Sequence, residues 1–157
     1  MDADAKQAWE LMEKIGICML ATNDGDAIRS RPMTPNLRRA AGRIEFLTDA
    51  RRHPDPEIER GSAICLAFSD PGAQRFVSVS GRAQMSADRA EITALWSTPA
   101  KDWWDDPDDP NIRVLIMTPQ EAEFWEGDGK LLRYVKMAAA AITGAKPDAA
   151  EGTKTTL

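Results

Sequence analysis

The sequence is poor in the residues that most enzymes use for acid, base or nucleophilic work. Its 157 residues include one histidine and two cysteines. The histidine, His53, precedes Pro54, and no partnered serine or cysteine is marked near it, so a Ser-His-Asp or Cys-His machine lacks its parts. A zinc site needs a closer His/Cys grouping than this. There is no glycine-rich phosphate loop with Walker or Rossmann spacing. No apolar run approaches the roughly 20 residues of a membrane helix. The acidic opening Met1-Asp2-Ala3-Asp4 is unlike a secretory leader, which starts basic and continues apolar. These absences predict a cytoplasmic chain with no membrane partner and no metal. Cys18 and Cys65 fall in separate apolar runs and read as buried free thiols. With acid–base groups so scarce, any redox activity must be carried by a bound cofactor.

What the chain does have is an ordinary globular balance, 43% hydrophobic and 29% charged. Its length suits one domain. Residues 1–144 read as that domain, and 145–157, small and polar, as a disordered tail. The net charge is -5, which makes nucleic acid a poor partner. The average hides an opposite patch: Arg29, Arg31, Arg38, Arg39, Arg43, Arg51 and Arg52 are opposed within their segment only by Glu45 and Asp49. Arginine presents a planar fork of donors to phosphate, so the segment suits a small anionic ligand; solvated surface arginines are the plainer alternative. The acidic loop from Asp102 to Asp109 lacks calcium-loop spacing and reads as a solvated loop, with Trp103 and Trp104 as packing anchors.

Periodicity organises the rest. Ala8, Leu11, Met12 and Ile15 share one face of an N-terminal helix capped by Asp2 or Asp4 and ended by Gly16. Strand-like runs follow at Ile17–Thr22, Ala27–Leu37, Arg43–Thr48, Ser62–Ser69, Arg75–Met85 and Ile112–Thr118. The first pair is joined by the turn Asn23-Asp24-Gly25-Asp26. Pro32 and Pro35 restrict the second run to an edge or a bulge. A helical turn is predicted at Glu57–Arg60, a helix after a Ser86 cap, and another at Leu131–Thr143. Residues 119–126 fit either a helix opened by a capping box or a continuing strand. Six short strands in hairpin order, with few helices, predict a mainly β fold: a small antiparallel barrel with peripheral helices.

Several short stretches then resemble one family. Arg29-Ser30-Arg31-Pro32-Met33 is similar to the Ser-Arg-Pro-Met stretch on the second strand of the general stress proteins. These belong to the flavin-binding split-barrel group related to pyridoxamine phosphate oxidase. Phe46-Leu47-Thr48-Asp49 resembles the end of their third strand. Val77 through Ala83 resembles their Val-Ser-Val-Ser-Gly-x-Ala strand. Asp88-Arg89 to Leu95-Trp96, Asp108-Asp109-Pro110 and Ala122 to Trp125 follow in the same order.

The resemblance implies a six-stranded Greek-key split barrel that forms a homodimer, with FMN, or less often FAD, in clefts shared by the two subunits. It implies that Arg31, Pro32 and Met33 line the flavin ring edge and that Thr48 lies by the ring or ribityl chain. Met33, Phe46 and Trp125 are candidates to meet the ring; for Trp125 a core or interface role is equally open. The loop after the third strand grips the phosphate in such proteins, commonly with Ser and Lys where this chain has Arg52 and Pro54. Proline offers neither charge nor N–H, so Arg29, Arg31 and Arg52, supported by Arg51, are the predicted phosphate ligands, with Ser30 in the same stretch. The implied function is a flavin-binding general stress protein, with an oxidoreductase using a small reductant as its catalytic form. The alternative is a non-catalytic dimeric binding or sensing module.

Overall fold

Apolar alternation decides which face of each strand turns inward, and cap and turn residues decide where each element stops. A computed structural model describes residues 1–51, 58, 62–127, 137–138, 141–142, 144 and 152–157. Helix α1 spans Ala3–Ile15. The Asp2 carboxylate accepts from the Ala5 N–H at 2.7 Å, and Gly16 closes the helix in the left-handed region at φ 76°. A glycine adopts that conformation without strain. Its buried face carries Ala5, Ala8, Trp9, Leu11 and Met12.

The described residues form eight strands: β1 (Cys18–Asn23), β2 (Ile28–Met33), β3 (Asn36–Arg38), β4 (Arg43–Asp49), β5 (Ser62–Asp70), β6 (Arg75–Ser86), β7 (Ile112–Glu126) and β8 (Thr153–Thr156). All pairings are antiparallel, in the order β2-β1-β5-β6-β7-β4-β3, with β8 added on β7. Strand β4 precedes the meander β5-β6-β7 and lies beside β7, which is a Greek-key return. The outermost strands β2 and β3 are joined only by Thr34 and Pro35. Two residues reach roughly 11 Å at most, so the sheet must curl until its edges nearly meet. The result is a barrel split between β2 and β3.

Two differences from expectation raise the strand count from six to eight. The predicted strand Ala27–Leu37 is broken at Thr34-Pro35, where proline cannot donate to a ladder. Within the C-terminal segment 145–157, expected to be disordered, Thr153–Thr156 form β8 instead. It pairs Glu121–Phe124 of β7, a stretch beyond the reach of β4, whose ladder on β7 ends at Met117. Thr155 is buried, Leu157 packs against the core, and the Leu157 N–H donates to the Gln120 carbonyl at 3.2 Å. Backbone bonds and one apolar anchor order a run whose side chains carry no hydrophobic pattern. The open segment 119–126 is strand. Pro119 sits opposite Gly81 at a register shift in the β6–β7 ladder, which accommodates its missing N–H.

Helix α2 spans Arg89–Leu95, and its cap is Asp88 rather than Ser86. The Asp88 carboxylate accepts from the Ala90 N–H at 2.8 Å, while the Ser86 hydroxyl donates to Glu91. The predicted turn at Glu57–Arg60 lies outside the described residues except for Ile58, which is buried. Of Leu131–Thr143 only residues 137, 138, 141 and 142 are described, and these are helical.

The interior core combines the α1 face with Leu20, Ile44, Phe46, Leu66, Phe68, Val77, Val79, Met117 and Phe124. A second cluster lies on the opposite face of β7, where Ile112, Val114 and Ile116 meet Ile92, Leu95, Ala100 and Trp104. This outer cluster positions the segment that follows α2.

Candidate functional site

At the split of the barrel lies a cleft of about 400 Å³. One part of its lining is the β2–β3 link with its flanks, Pro32, Met33, Thr34, Pro35 and Asn36. The end of β4 adds Leu47, Thr48 and Asp49. The segment after α2 adds Ser97, Ala100, Trp103 and Trp104, with Leu95 from the helix itself. Three stretches far apart in sequence thus share one concavity, mostly apolar with a few polar groups, the ordinary character of a small-molecule site.

Asp49 is the electrostatic centre of this cleft. It is buried, and its carboxylate accepts from the Arg51 backbone N–H at 2.8 Å, from Arg51 Nε at 3.0 Å and Nη2 at 2.6 Å, and from the Trp104 indole N–H at 3.1 Å. The Arg51 side chain, above all, holds this carboxyl well below the usual carboxylate range, and burial opposes it only in part. The Arg51 guanidinium is stabilised in its charged form by the same pair.

The structure brings together Pro32, Met33 and Thr48 of the predicted set, with Arg51 bound to the lining residue Asp49. The other described ones lie elsewhere. Arg29 pairs with Asp24 of the β1–β2 turn, and this pairing holds the Asp24 carboxyl down at about 2. Ser30 is exposed on the outer face of β2. Arg31 donates to the Thr22 hydroxyl at 2.7 Å. Phe46 is 0% exposed, so it belongs to the barrel core and presents no surface to a ligand. Trp125 pairs across from Phe76 near the C-terminal end of β7, with Gly152 close against its ring. Arg52, like His53 and Pro54, lies outside the described residues.

The arginine cluster is thus divided among local acids. Arg38 and Arg43 both approach the buried Glu45, at 3.9 and 3.1 Å. Sequence reasoning saw the net charge of the segment but not these pairings: Arg43 meets Glu45 two residues away on β4, and Arg38 reaches it from the neighbouring strand β3. It also missed Asp49 as a hub, although its place after Leu47-Thr48 at a strand end was a usable signal. Trp103 and Trp104 were read as packing anchors; Trp104 is one, and both also line the cleft. In the acidic loop, the Asp106 and Asp109 carboxylates accept from the Asp108 and Asn111 N–H groups, and Arg89 donates to the Asp109 carbonyl at 2.8 Å. Cys18 is buried, which pushes its thiol up to about 12 and leaves it unfit as a nucleophile.

A family model described as pyridoxamine 5'-phosphate oxidase like matches residues 3–148. The chain belongs to the pyridoxamine 5'-phosphate oxidase-like family. Among solved structures, a candidate general stress protein 26 from Jannaschia sp. CCS1 is 27% identical, with 99% of this chain and 100% of that one covered and a TM-score of 0.77. A general stress FMN/FAD binding protein from Xanthomonas citri is 24% identical over 80% of this chain and 89% of that one, with a TM-score of 0.70. A pyridoxamine 5'-phosphate oxidase-related, FMN binding protein from Nostoc punctiforme PCC 73102 is 15% identical over 98% and 94%, with a TM-score of 0.56. The latter two likenesses bear on the fold, which in this family member is the split barrel described above. A search of curated proteins finds no match.

Proposed function

We propose that this family member binds a flavin, FMN or FAD, with the ring system in the cleft at the barrel split. The observation that carries the reading is the convergence of Pro32, Met33 and Thr48 on one cleft of about 400 Å³. Met33, Leu47, Leu95 and the prolines suit a flat apolar ring; Asn36, Thr48 and Ser97 supply neutral hydrogen-bonding groups at its edges. The phosphate is less well served there. Among the described residues, the one charged group lining the cleft is Asp49, an anion already engaged by Arg51. The ring therefore fits this cleft, while the phosphate finds no cation among its described lining residues. A bound flavin would supply hydride and electron transfer; the residues of this chain would hold the ring, exclude water and present backbone donors.

The second copy expected of such proteins has a natural seat. The outer face of β1, β2 and β5 exposes Met19, Ser30, Pro32, Ala63 and Ala67, small or apolar groups lying side by side in register. Pro32 belongs both to this face and to the cleft, so a homodimer formed here would bring the partner against the flavin. Free Cys18 and Cys65 suit the reducing cytoplasm.

A non-catalytic binding or sensing role is the second reading. It is favoured by Asp49, the one titratable group lining the cleft among the described residues, being held as a carboxylate and so unable to donate a proton. Absorption spectra of the purified protein with added FMN and FAD test the binding. A shifted, structured visible band supports it, and spectra equal to the free flavins at high micromolar protein reject it. Photoreduction followed by addition of small electron acceptors separates a redox protein, which reoxidises at a saturable rate, from a passive binder.

A further inference from the structure

We propose that Asp49 sets the reduction potential of the flavin in this cleft, its fixed negative charge favouring the oxidised ring over the reduced one; the inference rests on the flavin reading above. Among the described residues lining the cleft, Asp49 is the charged one. Its side chain is only 7% exposed. Four hydrogen bonds of 2.6–3.1 Å hold the carboxylate, from the Arg51 backbone N–H, Arg51 Nε and Nη2, and the Trp104 indole N–H. Donors aimed at a carboxylate favour its charged form.

The backbone N–H and the indole are neutral, so they stabilise this charge without cancelling it. Arg51 carries the opposing charge, but it sits differently. Its side chain is 60% exposed and is not among the groups lining the cleft. Water and salt screen the guanidinium, whereas the carboxylate acts beside Leu47, Leu95 and Ala100, where a charge is felt more strongly. A guest in the cleft therefore faces the anionic side of the ion pair. Reduction changes the charge of a flavin guest. At pH 8, two electrons from dithionite and one proton from water turn the neutral ring into a singly negative one. A fixed anion opposes that gain, so the cleft holds the oxidised ring more tightly than the reduced ring, and the potential falls by linkage.

The test measures the midpoint potential at pH 8, against a reference dye, of the protein loaded with FMN, or with FAD where FMN does not bind. The proteins are the wild type, Asp49→Asn, Arg51→Gln and a control, Asp24→Asn. Asp24 also pairs with an arginine, but at the β1–β2 turn and outside the cleft lining. Thermal unfolding of each variant checks that the fold is intact. Asp49→Asn should shift the ratio of reduced to oxidised affinity about tenfold toward the reduced ring, which for a two-electron couple raises the potential by about 30 mV. Arg51→Gln leaves the carboxylate without its counter-charge and should move the potential the opposite way. Asp24→Asn should match the wild type. A purely structural role would loosen the cleft in both variants and produce no shifts of opposite sign. If Asp49→Asn does not fold, the sign of the Arg51→Gln shift decides. Unchanged potentials, or shifts of the same sign in the two cleft variants, overturn the inference and leave the flavin reading standing. If the wild type binds neither FMN nor FAD, the flavin reading fails and the inference with it.

Discussion

Trp104 and Asp49 stand 55 positions apart in the chain, yet the indole N–H of the first donates to the carboxylate of the second across 3.1 Å. This bond ties the segment after α2 to the end of β4, and so joins two parts of the cleft lining. Trp104→Phe keeps the bulk and removes the donor. Hydrogen bonds to charged groups contribute about 1.5–3 kcal/mol, so the variant should lower the unfolding free energy by roughly that amount or somewhat less, because Arg51 remains on Asp49. Urea denaturation at neutral pH measures it.

Asp49 should also shape the acid limb of stability. Its native carboxyl is depressed, with the Arg51 side chain as the leading cause. Its stabilisation is therefore complete above the ordinary aspartate value of about 3.9 and is lost as pH falls below that value toward the lower native one. Asp24, held at about 2 by Arg29, acts with the same sign in the same window. The wild type should lose more stability than Asp49→Asn between pH 5 and pH 2, so that the two urea midpoints converge on acidification. Parallel midpoints would remove Asp49 from the acid response.

Gly81 permits the close crossing of β6 and β7. A β-carbon there would meet the Thr118 carbonyl oxygen and come within 2.9 Å of the Pro119 Cα, both backbone groups with little room to move. Overpacking of this kind costs typically about 1–3 kcal/mol, and more where backbone must shift. Gly81→Ala should lower the melting temperature measurably, while Gly42→Ala removes a left-handed turn glycine with nothing nearby and tests strain without crowding.

Strand β8 should contribute to stability despite its polar sequence. Deleting residues 152–157 uncovers Glu121–Phe124 of β7 and removes Leu157 from the core. Burial of a leucine side chain is worth about 1.5–3 kcal/mol when complete, and Leu157 is only partly buried, so Leu157→Ala should cost about 1 kcal/mol. The deletion should cost more and expose a pairing edge. Chemical denaturation and light scattering of the three proteins give the ranking; a deletion as stable as the wild type would mean that the strand is incidental.

The proposed dimer predicts that a charge in the middle of the β1–β5 face separates the copies. Ala67 faces outward and is exposed, so Ala67→Arg should leave the fold intact. Light scattering should find the wild type at twice the chain mass at micromolar concentration and the variant at once, with flavin affinity reduced in parallel. A monomeric wild type would remove the shared cleft.

Much of the fold was legible because its signals are local. Val77, Val79 and Ala83 alternate with polar neighbours, and that period alone turned the right face of β6 inward. Asp2 and Gly16 bound α1 through contacts within one helical turn. Asn23 and Asp24 close their turn by accepting from Gly25, Asp26 and Ala27. The Ser-Arg-Pro-Met stretch led to the cleft through Pro32 and Met33.

What the tertiary structure alone decided depends on partners distant in sequence. Barrel closure brings the β2–β3 link beside the end of β4 and the tryptophans after α2, and no local period encodes that meeting. Arg29, Arg38, Arg43 and Arg51 look alike as a charge count. The folded backbone determines which acid meets each: Asp24 meets Arg29 within one hairpin, Glu45 meets Arg43 two residues away on β4 and Arg38 from β3, and Asp49 meets Arg51 two residues on. Strand β8 was invisible because its order rests on main-chain hydrogen bonds to β7, which any side chains can make, and on one leucine at the end of a polar run.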